Sequence, residues 1–246
     1  MTDRDEALAG RRFGAAAADY VAGRPDYPRD AVAWLVGDAH DVVDVGAGTG
    51  KLTAALVGPD RAVTAVEPDG GMLAALRREV PAATPLTGTG EALPLPDASA
   101  DAIVYGQAWH WVDVPRASAE AARVLRPGGT LGLIWNVRDV SVGWVDELGG
   151  IIRGSRAERI IDSGSVAVAA PFGPLERRDS RWSRPMTVDR LVAMAASRSY
   201  VIALDEGERE DLLLAVRAML ETHPDTAGRD TIDLPYVTSA FRARRP

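Results

Sequence analysis

Val42-Val43-Asp44-Val45-Gly46-Ala47-Gly48-Thr49-Gly50-Lys51 decides how this chain is read. A short apolar, β-branched run ends in three glycines at alternate positions. Such a pattern reads as a buried strand turning tightly into a helix. Glycine permits backbone angles that other residues resist, and it lets a ligand approach the main chain. An acid follows 17 positions after Gly50, in Ala65-Val66-Glu67-Pro68-Asp69. That segment reads as the next parallel strand, with Glu67 at its carboxyl end, where an acid accepts hydrogen bonds from ribose hydroxyls. Together the two segments predict a nucleoside-type cofactor at the first crossover of an α/β sheet.

The glycine spacing narrows the choice. A dinucleotide fingerprint, G-x-G-x-x-G, needs a third glycine where this chain has Lys51. A phosphate-binding G-x-x-x-x-G-K-[ST] loop is broken at both ends, by Val45 and Leu52. What remains is D-x-G-x-G-x-G with an acid after the next strand.

Outward from this centre, strand and helix patterns alternate. Strands are expected at 41–45, 61–66, 84–87, 101–105 and 130–137. The last is apolar throughout and so central. Helices are expected at 28–36, 49–57, 70–80 and 116–125, the third capped by Asp69 and carrying Met72, Leu73 and Leu76 on one face. Arg126-Pro127-Gly128-Gly129 is a turn by composition. The alternation implies a parallel sheet covered on both faces. Further on, helices are expected at 142–153, 187–197 and 206–221, and strands at 175–183 and 232–241. Residues 154–173, rich in glycine and alanine, receive no assignment. Residues 1–28 read as an N-terminal arm docking through Phe13, Tyr20 and Tyr27.

The chain has 246 residues, 46% hydrophobic, with net charge −7. Its isoelectric point near 5.1 speaks against a surface that coats nucleic acid. There is no cysteine, so disulfides and thiolate metal sites are excluded. The charged N-terminus and the lack of a long apolar run point to a cytoplasmic protein, with no membrane partner. Three scattered histidines predict no metal. Asn136 and Asp139 follow the fifth strand without distinctive spacing.

The D-x-G-x-G-x-G pattern with Glu67 resembles motif I of the class I S-adenosylmethionine-dependent methyltransferases. Gly88-Thr89-Gly90-Glu91-Ala92-Leu93-Pro94-Leu95-Pro96-Asp97 resembles that family's segment after the third strand, and Arg123 to Leu131 its turn before the fifth. Gln107-Ala108-Trp109-His110-Trp111, with Tyr20, Arg24-Pro25 and Tyr27-Pro28, resembles the methyltransferase type 11 branch that includes trans-aconitate methyltransferase-like proteins. The resemblance covers roughly 10–137 strongly and the remainder weakly. It implies a Rossmann-like fold: a seven-stranded, mostly parallel sheet with an antiparallel last strand and helices on both faces. A single domain is then expected over 1–246, with an arm (1–28), a cofactor-binding core (29–140) and a substrate-side elaboration (141–246).

Carried over by position, the resemblance implies S-adenosylmethionine as cofactor and S-adenosylhomocysteine as product. The backbone at Gly46, Ala47, Gly48 and Gly50 approaches the cofactor, Asp44 orders the loop, and Glu67 beside Pro68 holds the ribose. Met72 packs on adenine, and Thr89, Gly90 and Glu91 face the ring. Family members often have Asp where this chain has Thr89. Gln107 lies where the methionine end meets substrate, and Tyr20 and Arg24 close over the cofactor. Trp109, His110, Trp111, Ser199 and Tyr200 are candidates for the acceptor pocket. His110 is the candidate base, set against a role only in shaping the loop or hydrogen-bonding substrate. Arg138 and Arg198 favour an acidic acceptor if they point inward.

The expected activity is methyl transfer to a small molecule. O-methylation of a carboxylate or hydroxyl is favoured, with C- or N-methylation as alternatives, in a monomer or homodimer. Competing readings are a cofactor-binding protein of the same fold without methyl transfer and a nicotinamide (NAD-dependent) oxidoreductase.

Overall fold

The computed structural model describes residues 25–246. The calls on Tyr20 and Arg24, and most of the arm, lie outside the described residues. Seven strands form one sheet in the order β3-β2-β1-β4-β5-β7-β6. They are β1 (Asp41–Val45), β2 (Ala62–Val66), β3 (Thr84–Leu86), β4 (Ala100–Gly106), β5 (Leu125–Arg138), β6 (Glu176–Met186) and β7 (Ile232–Arg244). β1 to β5 pair in parallel. β7 runs against β5. The Asp139 amide donates to the Pro235 carbonyl and the Arg245 amide to the Gly129 carbonyl, so numbering falls on one strand as it rises on the other. The last strand is therefore antiparallel, as expected, and it lies inside the sheet, between β5 and β6.

Burial on both faces explains the β1 sequence. Four of its five residues are buried, and Asp44 is the one polar residue among them. Nine α-helices occur among the described residues: α1 (Arg29–Val36), α2 (Lys51–Leu56), α3 (Gly70–Glu79), α4 (Val114–Val124), α5 (Gly143–Ile152), α6 (Arg156–Asp162), α7 (Val188–Ala196), α8 (Ser199–Ile202) and α9 (Glu206–Thr222). Asp69, Asp113, Thr187 and Asp205 cap α3, α4, α7 and α9 by accepting from backbone amides, which otherwise have no partner in a first turn.

Two differences from the sequence reading have local causes. Arg126-Pro127-Gly128-Gly129 does not precede the fifth strand but belongs to it. Ala100 and Ala102, two residues apart on β4, pair with Leu125 and Thr130, five apart on β5. The extra residues bulge, and Gly128 takes the positive φ of 78° that the bulge needs. Within the unassigned segment 154–173, α6 forms because Ser155 and Glu158 cap it reciprocally. The Ser155 amide donates to Glu158 Oε2 at 2.5 Å, and the Glu158 amide to Ser155 Oγ at 3.1 Å. This is a capping box, S-x-x-E.

The chain divides into two compact units. One comprises 26–136, 159–180 and 238–246, and the other 137–158 and 181–237. The core of the first gathers Leu35 from α1, Leu52 and Leu56 from α2, and Val104 and Ile134 from the sheet. The core of the second gathers Val145, Leu148, Leu191, Val216, Leu220 and Leu234, with Trp182 stacked on Tyr236 at 5.1 Å.

Candidate active site

The turn after β1 is built as its glycines require. Gly46, Gly48 and Gly50 have φ of 67°, 57° and 92°. At Gly46 a Cβ would sit 2.7 Å from the Cβ of Ala108, and at Gly50 2.9 Å from Val80. Those two glycines permit packing. At Gly48 the nearest atom to a Cβ would be the Met72 sulfur, 4.0 Å away, so this glycine keeps open the space over the turn. Lys51, at the position of a third dinucleotide glycine, pairs with Asp26 at 2.8 Å.

Two acids sit beneath the turn. Glu67 follows β2 and is 6% exposed. Its Oε2 accepts from the Gly48 amide at 2.8 Å and its Oε1 from the Asp69 amide at 2.9 Å. These bonds fix the carboxylate while leaving each oxygen a further lone pair. Burial pushes the Glu67 carboxyl up, and the two amides only partly offset this. Asp44 is fully buried, with Oδ2 accepting from Thr53 Oγ1 at 2.7 Å and Oδ1 without a partner. Burial pushes its carboxyl up to about 7, the Thr53 bonds opposing and the Glu67 charge adding.

These residues fit the expected cofactor. A buried acid held by the glycine loop itself, an open cradle at Gly48 and an orphaned Asp44 oxygen are what a nucleoside with hydroxyls and a cationic end would use. Met72 is half-buried and faces Gly48. Pro68 and Thr89 are exposed, and Thr89 forms a tight bridge with Ala92. Gly90 is explained by packing as well. A Cβ there would meet Val112 at 2.9 Å and Tyr105 at 3.2 Å. Glu91 Oε1 accepts from the Asp113 amide at 2.8 Å, so this acid braces the start of α4.

After β4, Gln107 takes a positive φ of 55°, and its Nε2 donates to the Asn136 carbonyl at 2.8 Å. The segment Trp109–Trp111 is one turn of 3₁₀ helix. Trp109, a candidate for the acceptor pocket, is packed into the core. It is 3% exposed, lies edge-on to Tyr105 at 4.7 Å, and donates from Nε1 to the Ala167 carbonyl at 2.9 Å. Trp111 is 53% exposed. His110 Nδ1 accepts from Trp135 Nε1 at 3.2 Å. In a neutral imidazole one nitrogen accepts and the other donates, so this bond leaves the proton on Nε2. The nitrogen a general base needs is thus already engaged.

In the second unit, Tyr200 lies on α8, which Ser199 opens. The Tyr200 hydroxyl is buried without a partner. Arg138 and Arg198 both reach Glu158, Arg138 Nε at 2.8 Å and Arg198 Nη2 at 3.2 Å. Burial works against the Glu158 charge, but the two arginines outweigh it and hold the carboxyl down at about 2. Sequence reasoning missed Glu158, although Ser155-x-x-Glu158 was legible as a capping box. Asn136 and Asp139 are committed elsewhere, Asn136 to Asp26 and Thr238, Asp139 to Ser141 and Arg181. No group of acids and histidines suited to a metal occurs among the described residues.

Comparison with known proteins gives the family. Residues 43–133 match a family described as "Methyltransferase domain". An uncharacterized methyltransferase of Mycobacterium tuberculosis is 47% identical over 232 residues, 94% of each chain. A malonyl-[acyl-carrier protein] O-methyltransferase of Hahella chejuensis is 33% identical over 179 residues, 68% of this chain and 63% of that one. The structure of a putative type II methyltransferase from Anaeromyxobacter dehalogenans superposes with a TM-score of 0.66 at 26% identity, covering 90% and 97% of the two chains. The chain belongs to the class I S-adenosylmethionine-dependent methyltransferases.

Proposed function

We propose that the acceptor is a small organic molecule methylated on oxygen, with a carboxylate favoured over a hydroxyl. The observation that carries this reading is the bond from Trp135 to His110 Nδ1. A hydroxyl must lose a proton as it attacks, and His110, the candidate base in the turn after β4, has its Nδ1 occupied. A carboxylate is already ionised near neutral pH and needs no base. The Hahella chejuensis relative, named as a malonyl-[acyl-carrier protein] O-methyltransferase, supports oxygen as the acceptor atom.

When bound, S-adenosylmethionine supplies an electrophilic methyl group and a neutral thioether leaving group. The chain's own residues bind, orient and exclude water, which is most of what such a displacement asks of a protein. Glu67 would hold the ribose hydroxyls, its orientation set by the amides of Gly48 and Asp69. The opening at Gly48 would admit the body of the cofactor, with Met72 against it. The orphaned Oδ1 of Asp44 would complete the polar floor. Gln107, locked on Asn136, fixes the chain entering Trp109–Trp111, and His110 orients rather than deprotonates. No helix among the described residues is long and apolar enough to cross a membrane. We place the protein in a reducing cytoplasm, as a monomer or homodimer, on its lack of cysteine and its acidic charge.

The test is calorimetric titration with S-adenosylmethionine, S-adenosylhomocysteine and NAD, followed by a screen of small acids, phenols and amines for release of S-adenosylhomocysteine. Turnover on acids supports the proposal. Turnover confined to amines or to nucleic acid would overturn it, and binding with no turnover on any acceptor would favour a cofactor-binding protein.

A further inference from the structure

The second unit holds a buried charge imbalance that its fold does not require. Arg138 is the last residue of β5 and is 5% exposed. Its Nε is bonded to Glu158, while its Nη1 is buried without a partner. Arg198, also largely buried, spends Nη2 on the other Glu158 oxygen and on the Arg153 carbonyl at 2.9 Å. Two guanidiniums thus share one carboxylate. The Tyr200 hydroxyl is likewise buried and unpartnered, with the Arg153 guanidinium 5.9 Å from its ring. Burial pushes the Tyr200 phenol up against the charges of Arg198, Arg153 and Arg138, which puts all three guanidiniums within electrostatic reach of the hydroxyl. A buried donor without a partner is costly, and a surplus buried charge more so. Such groups persist where something outside the fold answers them.

We propose that Arg138 Nη1 and the Tyr200 hydroxyl are the two donors of a carboxylate-binding site within this unit, held in place by Arg198 and Glu158. The proposal rests on the reading of this chain as a methyltransferase of small organic acids. Three features select the ligand class. Two unpartnered donors match the two oxygens of a carboxylate, whereas a phosphate would leave further oxygens unanswered. One surplus positive charge matches one negative charge. Arg138 also stands at the carboxyl end of a strand, the edge at which open α/β sheets take ligands.

Calorimetry on the full chain tests this, with and without S-adenosylhomocysteine. The probes are succinate and benzoate, their neutral amides, and inorganic phosphate. Tyr200→Phe is the decisive variant. It removes a hydroxyl with no partner in the fold, so its melting temperature should hold or rise, while affinity for the acids falls about tenfold. Arg138→Gln should abolish acid binding and keep the wild-type affinity for S-adenosylhomocysteine. The subsite is refuted if acids and amides bind alike, if neither acid binds, if phosphate binds more tightly than both acids, or if Tyr200→Phe binds the acids unchanged. The two readings fail separately. Acid binding without S-adenosylhomocysteine binding sinks the methyltransferase reading, and the reverse sinks the subsite.

Discussion

Asp44→Asn offers the sharpest physical test of the cofactor floor. Asp44 is fully buried beside Glu67, and its carboxyl is raised from the ordinary value of 3.8 to about 7. A carboxyl raised in this way binds its proton more tightly in the folded chain. It therefore favours the fold at low pH, and that advantage is lost as pH rises through about 7. Between about pH 5 and pH 8 the wild type gives up two units' worth, at about 1.4 kcal/mol each, or about 3 kcal/mol. Asparagine does not titrate, so the variant escapes this loss. Whatever fixed penalty its amide incurs against Thr53 is the same at every pH. The melting temperature of Asp44→Asn minus that of the wild type should therefore climb by roughly 6–12 °C from pH 5 to pH 8, at the usual 2–4 °C per kcal/mol for a chain of this size. Differential scanning calorimetry in matched ionic strength reads the difference directly, and titrating groups other than Glu67, whose charge reaches Asp44, cancel. A difference that stays flat across that range would refute the account of Asp44 as a strained, half-protonated acid.

Three further outcomes follow from the same geometry. Glu67→Ala should cut S-adenosylhomocysteine affinity by two orders of magnitude or more by calorimetry, two charge-assisted hydrogen bonds being worth about 3 kcal/mol or more, with the fold retained by circular dichroism. Gly46→Ala places a methyl group 2.7 Å from Ala108 at a positive φ, and should lower stability by about 2–3 kcal/mol in urea titrations. His110→Ala should leave S-adenosylhomocysteine affinity unchanged, and on a carboxylate acceptor the pH–rate profile should keep its shape. Loss of a basic limb near neutrality would instead restore the histidine as a base.

The cofactor half of this site was legible because its chemistry is local. Three glycines at alternate positions, the acid 17 residues on and the Asp69 cap each act within a turn or two of their own strand. Their spacing alone thus carries the geometry. The acceptor half was not, because long-range partners decide it. Nothing in Trp109-His110-Trp111 distinguishes the tryptophan that is 3% exposed from the one that is 53% exposed. Ala167, 58 residues on, takes the Trp109 indole and makes that choice. The same holds for His110, whose tautomer is set by Trp135 from another strand. The place of β7 between β5 and β6 also escaped pattern reading, since alternation reports which face of a strand is buried and never which neighbours it has. Glu158 is the instructive miss. Its capping box was visible, but its two arginines arrive from 20 residues upstream and 40 downstream.

Glu158 also constrains how this protein could change its preferences over evolutionary time. One carboxylate closes the first turn of α6 and pairs with two arginines. Replacing it to alter charge would fray the helix, and replacing Ser155 would remove the acceptor of the Glu158 amide and loosen the turn that presents the acid to Arg138 and Arg198. The two properties cannot drift independently. Relatives that keep the arginine pair should therefore keep Ser-x-x-Glu as a block, and those that take uncharged acceptors should have lost all four residues together.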